Sequence, residues 1–350
     1  MRTLALIEAP DHVCARYRLL PFVRGVAASG GVLEVEPLER SPLRRVVQLR
    51  RADRYDCVVL QRKLLPGWQL GILRKAARRL LFDFDDAVVY RDSNDPRGPE
   101  CPRRAARFAR LMGEVDGVFA GNRFLADLAE VFGAARSKVH VIPTCVDTSA
   151  YLLPAFKPTP NEPGVRLVWI GSSGTLSGLE RQRPVWERLG REVPGARLKV
   201  ICDRFPRFDP LPVDAVDWSA ATETAELAAS DAGISWIPDD LWSRGKCGLK
   251  VLQFMAAGLA VVANPVGVHA EMIQPGRTGE LAETADEWVE AVRKLAIHPA
   301  RRAEMGREAR RVVEARYSVE AWTPQFVAAL SGRHDLRAHA SAMPEVARSA

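Results

Sequence analysis

The sequence predicts an α/β protein built as two parallel-sheet domains. Three observations carry this. Short apolar runs alternate with helix-like segments from the start of the chain, and that alternation marks βαβ units. It is interrupted by a proline-rich stretch, Tyr151 to Gly164 (YLLPAFKPTPNEPG), which can continue neither a helix nor a central strand. The 350 residues are enough for two separate cores.

In the first domain, residues 1–150, strands are expected at Thr3 to Ala9, Gly31 to Leu38, Tyr55 to Gln61, Leu80 to Phe84, Gly117 to Ala120 and Lys138 to Pro143. Helices are expected at Arg16 to Ser29, Gly67 to Arg79, Pro102 to Gly113 and Arg123 to Phe132. Residues 151–164 form the linker. A second βα series fills 165–317, with strands at Arg166 to Ile170, Ala196 to Cys202, Val213 to Trp218 and Gly233 to Ile237, and helices at Leu179 to Arg191 and Glu223 to Ala229. Both domains therefore read as Rossmann-like, with strand-end loops aimed at a shared cleft. Helices follow at Thr284 to Ile297, Pro299 to Arg316 and Val319 to Leu330; residues 331–350 are small and polar and read as a frayed tail.

Composition narrows the function classes. No apolar run approaches the ~18 residues of a membrane span. MRTLALIEAP is broken by Glu8 and reads as a first strand, not a signal peptide. The six cysteines are scattered, without metal-ligand spacing, as befits reduced thiols in the cytoplasm. Residues 1–150 hold 25 Lys and Arg against 18 Asp and Glu, whereas residues 151–350 hold 25 of each, so the net charge of +7 sits in the first half. A basic face there suits an anionic membrane surface, with peripheral attachment at the inner face, or a phosphorylated acceptor, or is simply solvated. No nucleic-acid motif is present.

The stretch Leu241 to Gly267 carries the densest signal. A polar, basic loop (Ser243, Arg244, Gly245, Lys246) runs into a helix with Leu249, Leu252, Met255 and Ala256 at helical spacing; Gly258 suits its C-cap, and Leu259 to Val262 reads as a buried strand. Free N–H groups at the helix start, together with Lys246 and Lys250, make an anion site. Upstream, Gly171-Ser172-Ser173-Gly174-Thr175 is a strand-to-helix loop whose hydroxyls and N–H groups suit phosphate oxygens.

The segment GKCGLKVLQFMAAGLAVVANPVGVHAEMI resembles the donor-binding segment of the family-4 glycosyltransferases, which have the two-domain GT-B fold. The resemblance runs strongly from about Val165 to Tyr317 and more loosely before it. It implies a retaining, metal-independent transferase without cofactor. Such an enzyme would move a sugar from a UDP- or GDP-sugar to a hydroxyl of a lipid, glycan or small molecule, and its last helix would cross back to the first domain.

On this reading Gly171, Ser172, Ser173, Thr175, Arg244, Gln253, Gly267 and His269 contact the donor, and Lys246 and Lys250 stabilise the leaving diphosphate. Asp83-Phe84-Asp85-Asp86 ends a strand, and Asp85 or Asp86 is expected at the acceptor hydroxyl, with metal chelation and helix capping as alternatives. His12, Arg16, Arg18 and Asn122 complete the acceptor side, Asn122 also reading as an N-cap. Two departures from the family pattern stand out. Positions 172–178 lack its Arg and Lys, and its glutamate pair falls on Gly245 and Gln253, leaving Asp239 or Asp240 as substitutes. An epimerase, or a non-catalytic relative binding an anionic surface, are the competing functions.

Overall fold

The computed structural model describes residues 1–153 and 164–332; most of the proline-rich stretch and of the expected tail lies outside the described residues. The chain divides into two compact units. The first comprises Met1–Phe84, Arg107–Ile142 and the chain from Trp322 on; the second comprises Asp85–Ala106 and Pro143–Ala321.

The first unit is built on a parallel sheet of β1 (Arg2–Ile7), β2 (Val32–Pro37), β3 (Cys57–Gln61), β4 (Leu80–Phe84), β5 (Gly117–Ala120) and β6 (Val139–Val141), in the order β2-β1-β3-β4-β5-β6. β3, β4 and β5 are buried along their whole length, as strands covered on both faces must be. The aromatic core joins Phe84 to Phe108 at 5.6 Å and Phe108 to Phe132 at 5.3 Å. The last helix, Val319–Ser331, supplies Phe326, which stacks on Phe22 at 4.2 Å and meets Phe119 at 5.8 Å.

The predicted helix at Arg16 to Ser29 is in fact two, Val13–Arg18 and Val23–Ala28, with a 3-10 turn at Leu20–Phe22 between them. Pro21 has no N–H to continue the first. The helix Pro42–Arg50 between β2 and β3 was not anticipated.

The second unit has a parallel sheet of β7 (Val165–Ile170), β8 (Ala196–Cys202), β9 (Val213–Asp217), β10 (Ala232–Ser235), β11 (Ala260–Ala263) and β12 (Gly279–Leu281), in the order β12-β11-β10-β7-β8-β9. Its core includes Trp186 edge-on to Trp288 at 5.2 Å. The predicted helix at Leu179 to Arg191 divides into Ser173–Arg181 and Arg183–Glu192, with Pro184 in the first turn of the second. In the densest stretch, a short helix Leu241–Arg244 precedes Leu249–Ala256. Gly258 then takes φ 71°, the left-handed cap expected of it, and the chain enters β11.

Phe326 holds the last helix to the first unit through two ring contacts, so Phe326→Ala should cost about 3–5 kcal/mol of that unit's stability, read by chemical denaturation.

Candidate functional site

In an open parallel sheet, ligands bind beyond the carboxyl ends of the strands where the strand order reverses. In the second unit the chain runs outward from β7 through β8 to β9, then restarts at β10 on the other side of β7. The reversal point is therefore the β7/β10 pair. The predicted donor residues gather there. Lys250, in the first turn of the Leu249–Ala256 helix, places its ammonium 5.2 Å from the centre of the buried Trp169 ring of β7. His269 is buried and lies 3.3 Å from the Ser235 hydroxyl at the end of β10.

The electrostatics of this corner are set by burial. Lys250 makes no ion pair with a carboxylate among the described residues, and burial, then the nearby Lys246, lowers its pKa to about 8; Cys202 and Asp86 oppose the fall. Burial likewise takes His269 down to about 4, with Lys250 contributing, so its imidazole is neutral. Its Nδ1 lies 3.1 Å from the Asn264 carbonyl, which can only accept. The proton thus sits on Nδ1, and Nε2 accepts from Ser235. Sequence left His269 open between a partly exposed residue and a ligand contact, and the structure makes it an interior group that ties β10 to the turn after β11.

Asp85 and Asp86, expected with the first domain, belong to the second unit. The segment that follows β4 packs directly on the stretch Leu241 to Gly267. The Asp86 carboxylate is 3.7 Å from the Lys246 ammonium, and the Cys247 thiol donates to the Asp85 carbonyl at 3.3 Å. Ser93 bonds to Asp240 and to Ser243, both at 3.1 Å. Ser177 and Arg181 donate to Asn94, at 3.0 and 3.2 Å. This packing accounts for one departure from the family pattern. A Cβ at Gly245 would lie 2.6 Å from the backbone nitrogen of Ala87, so no side chain fits there. Beyond Asp85 and Asp86, which the sequence offered for the acceptor hydroxyl, segment Asp85–Ala106 was not legible as part of this site, because its contacts join residues some 80 to 160 positions apart.

The glycine-rich loop lies at the end of β7, with Gly171 bonded through its N–H to Ile201. The Ser172 N–H donates to Thr175 Oγ1 at 3.2 Å. Ser173 is engaged twice by Asp203, through its N–H at 2.6 Å and its hydroxyl at 2.7 Å, and these bonds hold the Asp203 carboxyl at about 2. An acid thus already occupies the N–H that the sequence suggested for a phosphate. Arg244 is exposed and pairs with Asp239 at 2.7 Å, while Asp240 caps the Leu241–Arg244 helix through the Ser243 N–H at 2.7 Å. Both suggested substitutes for the missing glutamates are therefore committed to local bonds. Gln253 is buried on the inner face of its helix, and Gly267 takes φ 56° in the turn before His269.

In the first unit, His12 caps the Val13–Arg18 helix, its Nδ1 accepting from Cys14 N at 3.3 Å. Arg16 is partly exposed and its guanidinium lies 5.3 Å from the Tyr17 ring centre. Arg18, expected to meet an acceptor, points instead into the interior. Its side chain binds Asp83 at 2.5 Å and the Ile142 carbonyl at 2.6 Å, and Gln61 completes Asp83 at 3.0 Å. A guanidinium so enclosed secures the carboxyl ends of β3 and β4, and it is closed to a ligand. Asn122 is an N-cap, accepting from Leu125 N at 2.8 Å, and is buried. Sequence did not single out Arg62, a non-glycine residue at φ 56° directly after β3; its guanidinium bonds to Cys14 Sγ at 2.8 Å.

Comparison with known proteins agrees with this architecture. Residues 181–328 match the family described as glycosyl transferase-like. The chain has the GT-B fold of two parallel-sheet α/β units. Among similar solved structures is Anabaena HepE in complex with UDP and glucose, at 13% identity and TM-score 0.70, covering 95% of this chain and 100% of that one. Sucrose-phosphate synthase from Thermosynechococcus elongatus is 16% identical with TM-score 0.73, covering 93% and 97%. The lipopolysaccharide outer core galactosyltransferase WaaB, in its apo form, is 12% identical with TM-score 0.66, covering 95% and 100%. No curated protein matches the chain.

Asp83→Ala would take from the buried Arg18 guanidinium the carboxylate that pairs with it at 2.5 Å. Chemical denaturation should show a loss of about 3–5 kcal/mol, larger than for Arg18→Leu, which leaves the smaller demand of a carboxylate still bonded to Gln61.

Proposed function

We propose that the protein is a glycosyltransferase that moves a sugar from a nucleoside diphosphate donor to an acceptor hydroxyl, with the donor diphosphate held by Lys246 and Lys250. The observation that carries this is the Lys250 ammonium, half-buried at the β7/β10 reversal, without a carboxylate partner among the described residues and close enough to Lys246 to be depressed by it. Two like charges set against burial cost free energy in the empty site, and a bound dianion relieves that cost. The same pair would stabilise the charge that collects on the leaving diphosphate as the glycosidic bond breaks.

Asp86 already shares Lys246, so the incoming diphosphate takes over part of an existing ion pair. His269 is buried and neutral and positions the turn at Gly267 without adding charge. Uridine is the first base to test, because UDP and UDP-glucose occupy HepE, with guanosine second. We read the transfer as retaining and independent of a metal, the counter-charge coming from the two lysines; EDTA should then leave turnover unchanged, and NMR of the product should show the donor's anomeric configuration. His12 and Arg16 are the first-unit groups we assign to a lipid, glycan or small-molecule acceptor.

The direct test is Lys250→Ala. Removing one charge-assisted contact should raise the barrier by about 2.7–4 kcal/mol, while the melting midpoint should not fall, since the variant loses a half-buried cation. UDP-sugar should raise the melting point of the parent protein and, at the same concentration, shift that of the variant much less. Unchanged turnover in the variant would exclude this site.

A pH dependence follows from the lowered lysine. Below about 8 Lys250 carries its charge in the empty site, and above it the charge is progressively lost. Donor affinity, measured by calorimetry, should therefore be flat up to roughly pH 7.5 and fall by up to about tenfold per pH unit above 8. In Lys250→Ala that slope should vanish.

A further inference from the structure

The first unit carries a surface that the transfer reaction does not use. Residues 40–54, which include the helix Pro42–Arg50 and the 3-10 turn Arg51–Arg54 that continues it, hold six arginines against one acid, Asp53. This segment alone supplies most of the chain's net charge of +7.

Its inner side is firmly anchored. Leu49 and Ala52 are buried, and Gln48 accepts from Glu39 N at 3.0 Å and donates to the Pro37 carbonyl at 2.9 Å, fixing the helix to the end of β2. Arg45 donates to the Glu39 carbonyl, and Arg51 pairs with Glu36 at 3.2 Å. The outward side follows from that anchoring. Arg40, Leu43, Val47, Arg50 and Arg54 recur at intervals of three and four, and these five and Arg44 are all exposed. Leu43 is 81% exposed and Val47 61%, one turn apart, with Arg44 and Arg50 to either side. Arg40, Arg44, Arg50 and Arg54 make no ion pair among the described residues.

Exposed branched aliphatics within a field of unpaired guanidinium groups do not suit water alone, and they do not suit a purely ionic partner. They match the boundary of a lipid bilayer. There aliphatic side chains enter the acyl region, arginine stems lie along it, and the guanidinium heads meet phosphate. No helix among the described residues is long and apolar enough to cross a membrane, so the contact is with a surface.

We propose that the outer face of residues 40–54 docks the protein on an anionic lipid surface, with Leu43 and Val47 inserting and Arg40, Arg44, Arg50 and Arg54 binding headgroup phosphates. The proposal rests on the first unit alone, so it stands or falls separately from the transferase reading.

The test is flotation with phosphatidylcholine vesicles, with and without about 30 mol% phosphatidylglycerol, at low and high NaCl. The parent protein should float with the anionic vesicles only, and less so in high salt. Leu43→Ser/Val47→Ser and Arg44→Glu/Arg50→Glu should each weaken binding at least about tenfold. All four side chains are exposed, so both variants should keep the parent's melting point and its shift with UDP-sugar. Equal binding to neutral vesicles, or parent-like binding by either variant, would overturn the proposal. So would full binding by Leu43→Ser/Val47→Ser together with salt-sensitive binding of a DNA duplex, since that surface would then recognise charge alone.

Discussion

The cation–ring contact between Lys250 and Trp169 is the interaction on which the second unit's site depends. A parallel sheet covered on both faces offers its polar groups to a ligand only at the strand ends, and β7 ends beside β10 where the strand order reverses. Trp169 fills the space under that end, and the ammonium lies over its ring, 5.2 Å from the centre. The ring's negative face gives the cation some favourable field without neutralising it. Other parts of the site then fall into place. Asp86 meets Lys246, the second cation. His269 is held neutral, so a third positive charge is not added to the corner.

The first unit solves a different electrostatic problem at the corresponding end of its sheet. There a carboxylate and a guanidinium, Asp83 and Arg18, are withdrawn from solvent and satisfied by each other, by Gln61 and by the Ile142 carbonyl. Such a buried pair contributes less net stability than its short distances suggest, since both ions are desolvated. It does fix where β3 and β4 end, and so where Arg62 and its unusual backbone lie. Both units are six-stranded parallel sheets with different strand orders, and they treat charge at the strand ends in opposite ways: in one it is paired and interior, in the other a half-buried lysine has no carboxylate ion pair among the described residues.

Periodicity made most of the fold legible. Alternation placed eleven of the twelve strands to within a few residues, and the helix Pro299–Arg316 has the bounds read from sequence. β12, three residues long, offered too short a run to notice. The Pro42–Arg50 helix was overlooked because arginines occupy its outer face where a helix would show ordinary polar spacing, although Pro42 at its start was a usable signal. The site was legible where it is local, as in Lys246, Lys250 and the turn to His269. It was not legible where it depends on distant segments. Nothing near Asp203 announced that its carboxylate would cap Ser173, and Arg18 read as an acceptor-side arginine, whereas the fold encloses it.

The contact between Gly245 and Ala87 has a consequence for how this chain can change. The atom nearest a side chain at 245 belongs to the Ala87 backbone, so trimming Ala87 to glycine would not make room. An acid at 245 is therefore inaccessible by any single replacement in this background; the packing of Asp85–Ala106 would have to be lost first, along with its bonds to Ser177, Arg181, Asp240 and Ser243. The glycine is entrenched. The order in which substitutions can be accepted here is set by a segment about 150 residues away in sequence.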